Sequence, residues 1–285
     1  MENPASSPVN RPLSNITQII EPGRQKFLAS MLEAWRYREL LLFLAWRSIS
    51  LRYKQTILGI LWVIIQPLVT ILVFTVVFSR WAKIPSDNIP YPIFVSAGTI
   101  PWGFFAESIS RSGESLVTNS RLITKIYFPR VHIPLSASLA ALVDFSIALL
   151  VFAGLMIYYR AVPGIGILAL PALVLLTLVI SVSIGMFFAA LNVRFRDVKY
   201  ALPFVAQIWM YATPVVYPYS LIPDKFRPIA LLNPMVGVIE GFRWAFLGRP
   251  FPGMPLLSSC LFAIIAFLLA QAYFRRVERT LADVV

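Results

Sequence analysis

Six apolar stretches, separated by shorter polar segments rich in Lys and Arg, divide this chain. A bilayer core of about 30 Å takes roughly 20 helical residues to cross, and each stretch is close to that length or longer. The first, 57–79, holds no charge. The second, 91–110, carries Glu107 near its end. The third, 133–159, is interrupted only by Asp144. The fourth lies within 161–193 and exceeds what one crossing needs. The fifth is 200–217 and the sixth is 255–274. The apolarity is continuous instead of alternating, which excludes a transmembrane β-barrel. Backbone in lipid must satisfy its own hydrogen bonds, so the spans are expected to be helices. The pattern predicts an all-α polytopic membrane protein with six transmembrane helices.

Two connections do not fit a plain hairpin of spans. Residues 36–54, RYRELLLFLAWRSISLRYK, place Leu42, Trp46, Ile49 and Tyr53 on one helical face and Arg36, Glu39, Arg47 and Lys54 on another. That arrangement predicts an amphipathic helix in the membrane interface, serving as an anchor or as a contact for a cytoplasmic partner. Residues 218–253 are too long for a turn and too polar for a span. Within them Arg243 follows Glu240 by three residues, a spacing that lets the two pair on one face. Short helices dipping back between spans five and six are expected there, in a place buried by protein; an external loop with one surface helix is the plainer alternative. Asp144 is expected to hydrogen-bond a neighbouring helix, with a place on the translocation path as the alternative, since a lone mid-membrane carboxylate costs about 2.5–3.5 kcal/mol on insertion scales.

Composition supports the membrane reading. The 285 residues are 58% hydrophobic and 13% charged, about half the charged share of a soluble domain. The net charge of +12 matters by its distribution. With the N-terminus cytoplasmic, 18 of the 25 Lys and Arg fall on the cytoplasmic side, so both termini are expected inside. The basic residues do not alternate with exposed aromatics in a soluble context, which argues against nucleic acid. Residues 1–23 are rich in Pro, Ser and Asn and lack an apolar core, so no secretory signal is expected. Residues 1–34 are expected to form a flexible cytoplasmic lead-in to a membrane domain over 35–285.

The chemistry is read mostly from what is missing. One cysteine, Cys260, and one histidine, His132, allow no intrachain disulfide and no Cys/His zinc cluster. The sequence contains no G-x-x-x-x-G-K-[ST] phosphate loop, no H-E-x-x-H, no G-x-S-x-G and no G-x-G-x-x-G. No catalytic residue, metal site or cofactor is therefore assigned to this chain, and energy for active transport is expected from another subunit or an ion gradient.

Five strings in order carry a resemblance. They are LRYKQTILGILWVIIQPLVTILVFTVVFSR (51–80), NSRLITKIYFPR (119–130), LNVRFRDVKY (191–200), PVVYP (214–218) and LNPMVGVIEGFRWAFLG (232–248). Together they resemble the ABC-2 type transporter permeases, in the branch that exports polysaccharides such as O-antigen and teichoic acid. The resemblance covers roughly 40–274. It implies six spans, an N-terminal interface helix and re-entrant helices before the last span. It implies a homodimer resting on two copies of an ABC ATPase that binds ATP and Mg. It also implies a bacterial inner-membrane location and a lipid-linked polysaccharide substrate, with teichoic acid or a small amphiphile or drug as the alternative.

Site residues follow from that resemblance. The ATPase-coupling segment would be Arg121, Leu122, Ile123, Lys125, Ile126, Tyr127, Phe128 and Arg130, a mix of apolar and basic groups that also suits a surface anchor. Trp62, Phe74, Trp102, Phe105, Trp209, Tyr211 and Tyr217 are candidates for lining the path, since sugar C–H faces stack on aromatic rings; interfacial belts use the same residues. Arg36, Arg38, Arg47, Arg52 and Lys54 would meet a carrier's diphosphate, or anionic lipid headgroups. Glu240 and Arg243 would form an external gate.

Overall fold

A computed structural model describes residues 36–54, 59–125 and 128–278, with backbone alone at 59 and 60. The expected lead-in 1–34, and Ile126 and Tyr127 of the expected coupling segment, lie outside the described residues. Every regular element among the described residues is helical.

Ten α-helices follow in order. Helix α1 is Arg38–Tyr53. Helix α2, Gly59–Phe74, continues into a π-helical turn over Thr75–Trp81. Helix α3, Tyr91–Thr118, is followed by the six-residue α4, Ser120–Lys125. Helix α5 is His132–Tyr158, and α6 is Leu170–Arg194, entered through a 3-10 turn at Ile165–Ala169. Helix α7 is Val198–Ala212. After two 3-10 turns come the one-turn α8, Arg227–Ala230, then α9, Pro234–Leu247, and α10, Gly253–Glu278.

Four of the described helical segments are long and apolar enough to cross a membrane: Leu61–Trp81, His132–Tyr158, Ile165–Arg194 and Gly253–Glu278. The other two expected spans depart from the hydropathy pattern in opposite directions. Helix α3 runs eight residues beyond the expected 110, because Ser112, Ser115 and Leu116 continue its buried face past the charged Glu107 and Arg111. Helix α7 stops at Ala212, five residues short of the expected 217. Thr213 there turns to extended backbone ahead of Pro214, a residue that disfavours helix before it. Its 15 residues reach only about 22 Å at 1.5 Å per residue.

Helix α3 is the centre of the packing and touches α6, α5, α9 and α7. Small residues make the closest crossing possible. A Cβ on Gly185 of α6 would lie 2.5 Å from the Ser112 Cβ, so only glycine fits there. Ser112 Oγ donates to the Pro134 carbonyl at 2.7 Å, and Asn192 Nδ2 donates to the Gly113 carbonyl at 3.0 Å. These side-chain bonds tie α3 to α5 and α6 where apolar packing alone would allow sliding.

Helix α9 is buried over 11 of its 14 residues. Asn233 caps it by accepting the Met235 N–H at 3.1 Å, and Gly248 ends it in the left-handed region at φ 65°. Asn233 also binds α7: its Oδ1 accepts from Trp209 Nε1 at 3.1 Å and its Nδ2 donates to Thr213 Oγ1 at 2.8 Å. A Cβ on Gly237 would stand 1.9 Å from the Pro255 carbonyl oxygen, so α9 and α10 meet backbone to backbone at that point.

Candidate functional site

Three helices, each offering a strip at three- and four-residue spacing, line a half-open cavity of about 220 Å³. Helix α2 contributes Val63, Gln66, Pro67, Thr70 and Phe74. Helix α3 contributes Thr99, Gly103 and Glu107 with Trp102 and Phe104. Helix α5 contributes Ala141, Asp144, Phe145 and Ala148. Arg52, near the end of α1, and Met210 of α7 also line it.

A four-charge network borders this cavity. Asp144 stands 12 residues into α5, roughly 18 Å along the helix. Its Oδ2 accepts from Arg52 Nη1 and, at 2.8 Å, from Arg111 Nη2; its Oδ1 accepts from the Tyr53 hydroxyl. Glu107 Oε1 accepts from Arg52 Nη1 at 3.2 Å and from Arg111 Nε at 2.6 Å. Two guanidiniums thus face two carboxylates, which makes charge this deep tolerable. Burial, with the Asp144 carboxylate as acceptor, pushes the Tyr53 phenol up to about 12. Asp144 binds its neighbours as its position predicts. Arg111, which the sequence reading does not single out, is an equal partner; its i,i+4 spacing from Glu107 is the signal the sequence offered.

The Glu240–Arg243 pair also forms, with Arg243 Nη1 donating to Glu240 Oε1 at 2.8 Å. Arg243 is fully buried, so it is no surface group. Its Nη2 donates to the Val215 carbonyl at 2.7 Å and its Nη1 to the Tyr217 carbonyl at 3.2 Å. Its guanidinium carbon sits 3.9 Å from the centroid of the Phe94 ring. One side chain therefore joins α9, the PVVYP turn and the start of α3. A Cβ on Gly98 would lie 2.6 Å from the Val215 oxygen, so that turn is seated directly on α3.

The segment expected to couple to an ATPase lies at the opposite end of α3. Ile123 and Phe128 are buried in a cluster with Leu44 of α1, Leu116, Ile133 and Phe274 of α10. Leu122 is half-buried, while Arg121 and Lys125 are exposed. Arg130 donates from its backbone N–H to Glu278 Oε1 at 3.2 Å and from Nη1 to the Glu278 carbonyl at 2.7 Å. Ile123 and Phe128 thus point into the bundle, Arg121 and Lys125 away from it, and Arg130 ties the segment to the end of α10.

The remaining predicted residues divide by place. Trp102, Phe105 and Trp209 form one ring cluster with centroids 5.2–6.3 Å apart. Trp102 and Phe105 are buried, and Phe105 offers no surface at all. Trp62 and Tyr211 are exposed, and Phe74 and Tyr217 are half-buried. Arg36, Arg38, Arg47 and Lys54 are exposed along α1. Arg52 is drawn into the network instead. On α1, Leu44 and Ala45 face α5, while Leu42 and Trp46 are exposed.

Long apolar helices, with a network of paired charges set between them, define a multi-pass helical membrane protein. The chain belongs to the ABC-2 type transporter family, whose model matches residues 39–247. It is 29% identical over 255 residues to "O-antigen export system permease protein RfbA" of Myxococcus xanthus, covering 88% of this chain and 97% of that protein. A protein of the same name from Klebsiella pneumoniae is 28% identical over 73% of this chain and 80% of its own length. "Polysialic acid transport protein KpsM" of Escherichia coli is 27% identical, over 82% of this chain and 92% of its own length.

Proposed function

We propose that this chain is the permease subunit of an ATP-driven exporter that moves a lipid-linked, O-antigen-like polysaccharide across the bacterial inner membrane. The observation that carries this reading is similarity along nearly the whole length of an O-antigen export permease, 88% of this chain against 97% of the relative. The likeness to a polysialic acid transport protein favours a long glycan over a small amphiphile or drug.

In this reading α2, α3, α5, α6, α7 and α10 are the six spans, α1 lies in the cytoplasmic interface, and α9 with the turn before it dips into the membrane from outside. Both termini are cytoplasmic. Two copies of the chain form the path, and two ABC ATPase subunits supply the work by binding ATP and Mg. The ATPase presses on α4 and the residues around Phe128. That motion reaches α1 and α10 through the packing of Ile123 and Phe128 against Leu44 and Phe274. Exposed Arg36, Arg38, Arg47 and Lys54 meet the carrier's diphosphate, Trp62 and Tyr211 offer faces to passing sugars, and Arg243 holds the external gate in register.

The test is deletion of the gene with analysis of glycan on both sides of the membrane. The expected result is loss of one surface polysaccharide and its accumulation inside on a lipid carrier, with a stoichiometric ATPase recovered on the purified chain. Unchanged surface glycan, or transport by the purified chain without an ATPase, rejects the reading.

A further inference from the structure

The cavity between α2, α3 and α5 has polar groups that the network does not use. Gln66 is an exposed amide on a helix face whose other polar group, Thr70, donates to the Gln66 backbone carbonyl, and the Gln66 side chain makes no hydrogen bond among the described residues. Glu107 takes both guanidiniums on Oε1, which leaves Oε2 without a partner among the described residues, and its side chain is 43% exposed. A bare amide and a half-used carboxylate inside a membrane protein need a partner, because lipid supplies none.

Shape and charge narrow what that partner is. The cavity, at about 220 Å³, falls below the roughly 300–1,000 Å³ of drug-sized ligand clefts, so it takes a single ring. Each of the two guanidiniums already faces carboxylates, so an added anion gains little. An acyl chain would leave Gln66 and Glu107 unpartnered. A neutral, hydroxylated ring satisfies both: its hydroxyls donate to Glu107 Oε2 and to the Gln66 carbonyl and accept from the Gln66 amide, over an apolar floor of buried rings such as Trp102.

Resting on the polysaccharide reading above, we infer that this cavity is an intramembrane subsite for one sugar unit of the exported glycan, held by Gln66 and Glu107. Arg52 and Arg111 hold the Glu107 carboxylate through Oε1 and leave Oε2 for the ligand. A subsite of this kind gives a moving polymer a resting register without binding its phosphate.

Gly103 makes the inference testable without disturbing the core. It lines the cavity, and a Cβ placed there meets nothing within 4 Å. Gly154 on α5 is equally open and does not line it, so it serves as the control. Export is measured per membrane copy in the assembled transporter. Gly103→Leu is expected to lower it by about tenfold and Gln66→Leu by about threefold, the scale of losing hydrogen bonds to a ligand, with Gly154→Leu unchanged. In a Cys260→Ser background, alkylation of Gly103→Cys is expected to slow by about threefold in the presence of lipid-free surface polysaccharide from the producing strain. Gly154→Cys is expected to show no such protection.

Normal export by Gly103→Leu, or no protection of Gly103→Cys, overturns the subsite. So does cross-linking of two Gly103→Cys chains to each other, which would assign the face to a second copy. If deleting the gene leaves every surface glycan in place, the polysaccharide reading fails. If deletion removes the glycan while Gly103→Leu exports normally, the subsite alone fails.

Discussion

The buried Arg243 guanidinium has four partners: Glu240, two backbone carbonyls and the face of Phe94. Removing it leaves a carboxylate and two carbonyls with nothing to replace it. Arg243→Ala is expected to cost about 3–5 kcal/mol, the range for breaking a buried pair from one side, read as lost membrane accumulation or a lower Tm in detergent. Arg243→Lys cannot span the same acceptors, because a single ammonium lacks the planar fork, and is expected to rescue little. Asp144 offers a second case. Asp144→Asn keeps the shape and deletes the charge, leaving Arg52 and Arg111 to share Glu107. The expected result is faster amide exchange across Arg38–Tyr53, since α1 loses its charged tie to α5; unchanged exchange would show that the remaining contacts hold α1 without it. The sequence marked Asp144, Glu107, Glu240 and Arg243 as unusual by their surroundings. It did not show that Arg52 and Arg111 reach Asp144 from 92 and 33 positions away, because such pairing depends on where helices cross.

At the scale of elements, long helices were readable and short ones less so. An apolar run of sufficient length has only one way to satisfy its backbone in lipid, so α2, α5, α6 and α10 follow from hydropathy. Helix α3 is less apolar because protein, not lipid, surrounds much of it, and a hydropathy pattern reports the solvent a helix expects. The segment 119–130, expected to couple to an ATPase, illustrates the same limit. Its mix of apolar and basic residues suits an anchor as well as a docking site, and burial separates the two kinds. Phe128, 4% exposed, and Ile123, 6% exposed, belong to the packing; Arg121 and Lys125 do not. Phe128→Ala is expected to destabilise the chain by about 3–5 kcal/mol as a buried aromatic truncation, lowering its membrane level. Replacing Arg121 and Lys125 with Gln is expected to leave that level intact and weaken recovery of the ATPase, measured by co-purification. Equal loss of both properties in both variants would show no division of labour along the segment.

For the whole molecule, the arrangement predicts sidedness. In a Cys260→Ser background, Ser220→Cys is expected to react with an impermeant maleimide from outside intact cells, and Thr124→Cys only after the membrane is opened. The reverse result would invert the topology and reject the placement of α4 against a cytoplasmic ATPase. Hydropathy and the distribution of Lys and Arg determined the solvent, the helical class and the expected orientation, because those depend on totals and periods along the chain. Only the tertiary structure decided which charges meet and which aromatic rings are sealed inside. It also decided which glycine leaves open space and which permits a helix crossing. Those outcomes depend on distances between residues far apart in the chain, and a single sequence carries no direct record of such distances.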